Sequence, residues 1–187
     1  ESEILVKGPN VMIGYYKDQE KTDEVIKNGW FHTGDKGELD NEGFLKITGR
    51  KKEIFKTSGG KYVAPALLEN ALKASLFIEQ VMVVGENRKY PAALISPEPG
   101  VVSDWCNRHN HPYPGEENIA SDEVIFNRIM DEVNSLMAPF AKWEQVKVIK
   151  IIPEPFSVEG GELTPTLKLK RDPIKKKYGA LIDSIYE

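Results

Sequence analysis

A single cysteine, Cys106, and three histidines stand among the 187 residues. One thiol cannot close an intrachain disulfide, so a disulfide-stapled secreted fold is excluded and a reducing, cytoplasmic compartment is expected. No apolar run approaches the roughly 18 residues of a membrane span, which excludes a transmembrane helix and leaves room only for peripheral membrane association. The start, Glu1-Ser2-Glu3-Ile4, is acidic and has no apolar signal-peptide stretch. Charge of one sign is scarce too: 25 basic residues face 29 acidic ones, a formal charge of -4. With 40% apolar residues, this is a globular chain rather than a disordered polymer. Its acidic balance, without interleaved aromatics and basics, argues against a nucleic-acid partner.

What is present is patterned. Glu3–Lys7, Val11–Gly14 and Phe44–Thr48 read as short strands, punctuated by Gly8-Pro9-Asn10 and by the turn Asp40-Asn-Glu-Gly43. A short helix at about 18–27 is expected among them, with Val25 and Ile26 buried. From residue 50 the rhythm changes to alternating strands and helices. Glu53–Thr57 leads into the turn Ser58-Gly59-Gly60, and Pro65 opens a helix with Leu67, Leu68, Ala71 and Leu72 on one face. Gln80–Gly85 and Tyr90–Ile95 form a predicted hairpin, and 107–118 a loop. A helix capped by Ser121 follows, burying Ile125, Ile129, Val133 and Leu136. Val146–Ile152 reads as a strand, and a last helix is capped by Asp172 with Pro173 at its start. The fold class is α+β: a small β-rich subdomain over 1–49, then a compact mixed α/β domain over 50–187 with a short antiparallel sheet flanked by helices.

Four places carry chemistry that a fold alone does not require. In Gly29-Trp-Phe-His-Thr-Gly-Asp35, the carboxylate of Asp35 could accept hydrogen bonds from two adjacent hydroxyls, as on a ribose; the plain alternative is a turn Asp bonding its own backbone. Thr48-Gly-Arg-Lys-Lys-Glu53 puts Arg50 at the domain junction, where it could reach a nucleotide or be one of a solvated charge run. Thr57-Ser-Gly-Gly-Lys61 lets backbone N–H groups approach a ligand, although it lacks Walker spacing and could be a simple hairpin turn. Leu163–Arg171 is an extended segment presenting Lys168, Lys170 and Arg171. Residues 168–177 hold six basic side chains against one acidic, an excess that suits an anionic partner or a solvated face. Cys106, His109 and His111 offer soft ligands but no fourth partner at a recognised zinc spacing, and no metal site is expected.

Taken in order, Glu3-Ile-Leu-Val-Lys-Gly-Pro-Asn-Val-Met, Gly29-Trp-Phe-His-Thr-Gly-Asp35, Gly49-Arg-Lys-Lys-Glu53 and Ser58-Gly-Gly-Lys61 resemble the later core motifs of the adenylate-forming superfamily, which contains acyl-CoA synthetases, luciferases and adenylation domains. The likeness runs over essentially the whole chain. Leu163-Thr-Pro-Thr-Leu-Lys168-Leu-Lys-Arg171 most resembles the long-chain fatty-acid CoA ligases. The resemblance implies that ATP and a carboxylate give an acyl-adenylate, from which the CoA thiol displaces AMP. It implies that Asp35 binds the ribose, that Arg50 holds the ribose or α-phosphate, that Ile47 packs on the nucleoside and that Lys61 meets a phosphate. Ser58, Gly59 and Gly60 would approach the CoA pantetheine, and Lys52 would be the hinge between half-reactions. Lys168 matches the lysine of adenylation; its Lys-x-x-Arg spacing to Arg171 favours it over Lys170, although Leu167 stands where that motif usually has Gly.

The superfamily's phosphate loop and acyl pocket are missing from these residues. The chain therefore reads as a C-terminal fragment cut at Glu1, with ATP, CoA and fatty acid met through an absent N-terminal domain. Mg2+ would accompany ATP on ligands outside this chain, and the fragment alone should be inactive. Alternatives are a ligase of another acid, a carrier-protein-loading adenylation enzyme, a non-catalytic nucleotide- or carrier-binding module, and an RNA-binding domain with Gly59-Gly60 as a backbone clamp.

Overall fold

The computed structural model describes residues 3–187, so the expected cut at Glu1 lies outside the described residues. The chain divides into two compact units, one ending at Ile54 and the other spanning Phe55–Glu187.

The first unit is an antiparallel sheet of β1 (Glu3–Val6), β2 (Ile26–Lys27), β3 (Trp30–Leu39) and β4 (Leu45–Arg50), with β3 pairing all three others. Helix α1 (Gln19–Val25) starts where Asp18 accepts the Lys21 N–H at 3.0 Å. Two expectations are corrected here. Val11–Gly14 is irregular rather than a strand, because no neighbour offers it a ladder; Ile13 is fully exposed. The helix stops at Val25, since Ile26 and Lys27 take extended backbone to pair with Phe31 and Trp30, and both Val25 and Ile26 are only half-buried. Asp40 makes the predicted turn, its carboxylate accepting the Glu42 and Phe44 N–H groups at 2.9 Å each. Among the described residues of this unit, only Thr22 and Gly49 are buried, so the sheet closes over no apolar core of its own.

The second unit opens with the hairpin β5 (Phe55–Lys56) and β6 (Tyr62–Val63), then α2 (Pro65–Leu72), β7 (Ile78–Val84), β8 (Ala92–Pro97), α3 (Pro99–Arg108), a 3-10 turn over Glu116–Ser121, α4 (Glu123–Met137), β9 (Val148–Ile151), α5 (Arg171–Lys177) and α6 (Gly179–Asp183). Strands β7-β8-β9 form its central sheet. Successive strand residues point to opposite faces. Accordingly Val81, Val83, Ala93 and Ile95 pack with Leu68 and Leu72 of α2 and with Ile125, Ile129 and Val133 of α4. Met82, Val84, Ala92 and Leu94 pack on the other face with Leu163, Ile174 and Ile185. With both faces covered, the strands read as continuous apolar runs rather than alternating ones.

The mixed α/β architecture agrees with the expectation, and β7 and β8 pair antiparallel as predicted, but β9 joins β8 in parallel. That geometry requires a long crossover, which α3 and α4 supply. Helix α3 was not among the expected elements; Pro99 suits a first helical position and Glu98 caps it by accepting the Gly100 N–H at 3.1 Å. For α4 the cap is Asp122 rather than Ser121, which ends the 3-10 turn, and Met137 rather than Leu136 is the fully buried residue of its last turn. The last helix begins at Arg171, with Asp172 inside its first turn rather than capping it, and it breaks at Tyr178 into α5 and α6.

Candidate functional site

In the first unit the β3–β4 register sets Asp35 opposite Arg50. The Arg50 Nε donates to Asp35 Oδ1 at 3.0 Å, so two motifs fifteen residues apart in sequence become one charged pair. Asp35 is braced from behind, its N–H donating to Thr33 Oγ1 at 3.1 Å, while Thr33 Oγ1 donates to the Ile4 carbonyl at 2.8 Å. Both charged groups remain partly solvated, at 58% and 29% side-chain exposure, which leaves acceptor and donor capacity for a ligand. Ile47 lies three residues before Arg50 on β4 with its side chain 59% exposed.

Beside this pair an open cleft of about 620 Å³ is lined by Arg50, Lys51, Lys52, Lys21, His32 and Glu3 among others. Asp35 is not among its walls. Glu3, overlooked in the sequence, anchors it: one carboxylate oxygen accepts the Gly34 N–H at 3.2 Å and the other lies 3.3 Å from His32 Nδ1 and 3.4 Å from Lys51 Nζ. The bond to His32 leads in holding the Glu3 carboxyl below its ordinary value, against some burial, with Lys51 adding to the effect. Lys52 is exposed in a turn where the Glu53 and Ile54 N–H groups both donate to the Arg50 carbonyl.

In the second unit Thr57–Lys61 forms the tip of the β5–β6 hairpin. The Thr57 hydroxyl accepts the Lys61 N–H at 3.2 Å, and Gly60 takes φ +81°, a left-handed backbone that glycine adopts without steric cost. The Ser58 N–H is already donated to the Arg88 carbonyl at 2.9 Å. An added Cβ at Gly59 would meet nothing closer than 3.9 Å, so the tip is open to an approaching chain. The Lys61 ammonium sits 5.1 Å from the centroid of the half-exposed Trp143 ring.

Residues 163–169 are not a plain extended segment. They form a tight loop closed by a bridge between Leu163 and Leu169, in which Thr164 N–H donates to the Lys168 carbonyl and Lys168 N–H to Thr164 Oγ1. Lys168 is exposed on this loop, and Lys170 is exposed at the start of α5. Leu167 has φ +58°, which explains why the motif it resembles usually has Gly there.

The basic cluster of 168–177 is only partly a free surface. Arg171 grips the buried Glu69 in a fork, both N···O distances 2.8 Å; Lys177 Nζ is 2.6 Å from the buried Glu162; and Lys175 pairs with Glu86 at 3.0 Å. Glu69 and Glu162 were missed in the sequence. A carboxylate on the apolar helix face of Pro65, Leu68 and Leu72 was the available signal for Glu69.

Cys106, His109 and His111 have separate occupations. Cys106 is buried, which pushes its thiol up, with Asp122 adding to the shift; the His109 ring stacks on Trp105 at 4.5 Å; and His111 Nε2 lies 2.9 Å from Asp122 Oδ2.

A family model described as AMP-binding enzyme C-terminal domain matches residues 52–187. A long-chain-fatty-acid–CoA ligase of Mycobacterium tuberculosis is 38% identical over 187 residues, spanning 100% of this chain and 31% of that protein. Long-chain-fatty-acid–CoA ligase 5 of Rattus norvegicus is 41% identical over 191 residues, spanning 100% of this chain and 28% of its own length. The chain thus spans under a third of these relatives. Among solved structures, the adenylation domain of a carboxylic acid reductase from Segniliparus rugosus, in complex with AMP and a co-purified carboxylic acid, superposes with a TM-score of 0.80 at 26% identity, over 98% of this chain and 28% of that one.

Proposed function

Because this chain belongs to the family of AMP-binding enzyme C-terminal domains, we propose that it is the C-terminal part of an ATP-dependent, AMP-forming long-chain fatty-acid CoA ligase. The observation that carries the reading is alignment of the full chain with proteins named long-chain-fatty-acid–CoA ligases at 38% and 41% identity. In this reading the first unit is the last β-rich piece of a larger nucleotide-binding domain. The lack of a buried apolar side chain among its described residues supports that, since a sheet with exposed Phe44, Leu45 and Ile47 needs something to cover it. The remainder is the mobile domain that turns about Lys52.

The residues divide the chemistry. Asp35 accepts the ribose hydroxyls, and Arg50, held at 3.0 Å from it, orients the ribose or α-phosphate while Ile47 packs on the nucleoside. In the first step the fatty carboxylate attacks the α-phosphorus and pyrophosphate departs. Anions are brought together there, so a positioned ammonium offsets charge that grows in the transition state. Lys168 supplies it. In the second step the CoA thiol attacks the acyl carbonyl and AMP leaves. The open tip Ser58-Gly59-Gly60 guides the pantetheine, and Lys61 meets a phosphate. Mg2+ travels with ATP on ligands elsewhere in the longer protein. A carrier-protein thiol is the second acceptor to test.

The test uses the full-length protein with ATP and palmitate. Lys168→Ala is expected to slow pyrophosphate release by about 10²-fold or more while thioester formation from supplied palmitoyl-adenylate and CoA continues. An unchanged adenylation rate would remove Lys168 from the mechanism. The 187-residue chain alone is expected to release no pyrophosphate.

A further inference from the structure

The loop that carries Lys168 is pinned at both of its feet by carboxylates that the sequence hides. On its C-terminal side, Arg171 forks onto Glu69, whose side chain is only 7% exposed. Glu69 Oε1 also accepts the Val83 N–H at 2.8 Å, so this carboxylate ties α2, the edge strand β7 and the start of α5 to one point. On the N-terminal side Glu162, with 3% side-chain exposure, takes Lys177 Nζ on one oxygen and the Ser157 N–H on the other. Its carbonyl accepts the Lys170 N–H at 2.8 Å, which closes the base of the loop directly. The space for that carboxylate is made by Gly160, where an added Cβ would lie 2.1 Å from Glu162 Oε2.

A lysine has four rotatable bonds and loses considerable side-chain freedom when held. Its ammonium can be delivered reproducibly only if the backbone beneath it does not move, and a misplacement of about 1 Å can cost on the order of 10²-fold in rate. The loop's internal hydrogen bonds fix its shape, but they do not fix its attachment to the sheet. Glu69 ties the loop's C-terminal foot to strand β7 through the Val83 N–H, and Glu162 ties its N-terminal foot to α5 through Lys177; each is buried and grips a cation within nine residues of Lys168 in sequence.

We infer that Glu69 and Glu162 are positioning residues for adenylation, acting on Lys168 through Arg171 and Lys177. The inference rests on the reading of Lys168 as the adenylation lysine. A group acting in this way serves only the half-reaction that uses Lys168, whereas a general structural prop serves both.

In the full-length protein, Glu69→Gln and the half-exposed Lys177→Gln are compared with Lys168→Ala. Pyrophosphate release reports the first half-reaction, and thioester formation from supplied palmitoyl-adenylate and CoA the second. For Glu69→Gln and Lys177→Gln, kcat for pyrophosphate release is expected to fall about tenfold to a hundredfold, with KM for ATP within about twofold and the second half-reaction unchanged. Equal losses in both half-reactions would overturn the inference, marking the pairs as structural props. So would wild-type adenylation in both variants beside an impaired Lys168→Ala, which would spare the reading of Lys168. A silent Lys168→Ala would remove that reading and this inference together.

Discussion

At residue scale, the Asp35–Arg50 pair illustrates how magnitudes separate function from stability. Exposed or half-exposed ion pairs contribute roughly 0–1 kcal/mol. Asp35→Asn should therefore leave the melting temperature within a degree or two, yet weaken AMP binding to the full-length protein, measurable by calorimetry; equal affinity would exclude Asp35 from the nucleotide site. Leu167 shows the opposite balance. A left-handed non-glycine residue costs about 1–2 kcal/mol, and little is lost on truncating a side chain that is 71% exposed. Leu167→Gly is thus expected to hold or raise the melting temperature, while Leu167→Val lowers both it and the unfolding free energy, the latter by about 1 kcal/mol or more, since β-branching makes that backbone harder to adopt.

At element scale, α4 depends on its cap. Asp122 Oδ1 accepts the Val124 and Ile125 N–H groups at 3.0 Å each, and Oδ2 faces His111. Burial pushes this carboxyl up, but the Ile125 N–H, His111 and the Val124 N–H together outweigh it and hold the group below its ordinary value. A carboxyl depressed in the folded state adds stability that is present above its unfolded value, about 3.9, and is lost as pH falls through the folded one. Asp122→Ala should cost about 1 kcal/mol near neutral pH, a drop of about 2–4 °C, and the gap from wild type should close on acidification below about pH 4. A gap that stays constant to pH 2 would show that the charge plays no part. Glu162 follows the same sign: its bond to Lys177 leads in depressing it, and the Lys177 ammonium is raised in return.

At the scale of the whole molecule, the two units differ in what holds them. Phe55–Glu187 buries Leu68, Leu94, Ile129, Ile149 and Ile174 on the two faces of one sheet, whereas the described part of the first unit buries no apolar side chain. Burying a Leu or Ile contributes about 1.5–3 kcal/mol, so only the second unit can offset its own conformational entropy. Residues 55–187 expressed alone should melt cooperatively with dispersed amide resonances, while residues 1–54 alone should give the spectrum of an unfolded peptide. A cooperative transition in the shorter piece would refute the view that its sheet is completed by a larger domain.

Much of this was legible in the sequence because the signals are local. The helix of Pro65–Leu72, the hairpin about Glu86–Lys89, the turn at Asp40 and the four motifs follow from spacing and turn chemistry within a few residues. Helix α3 escaped although Pro99 and the Glu98 cap mark its start locally, because its opening Pro-Glu-Pro-Gly also has the composition of a breaker; Val102 and Cys106 are buried in the core beside the sheet. The parallel entry of β9 was equally out of reach, since a crossover through α3 and α4 is settled by where two apolar faces can be covered at once. The residue types of the candidate site were determined by the sequence alone. That Asp35 meets Arg50 and that half the basic cluster is bound to carboxylates were decided by tertiary structure, because strand register and charge burial join residues 15 to 102 positions apart; that Leu167 is left-handed was decided by the closing of the 163–169 turn.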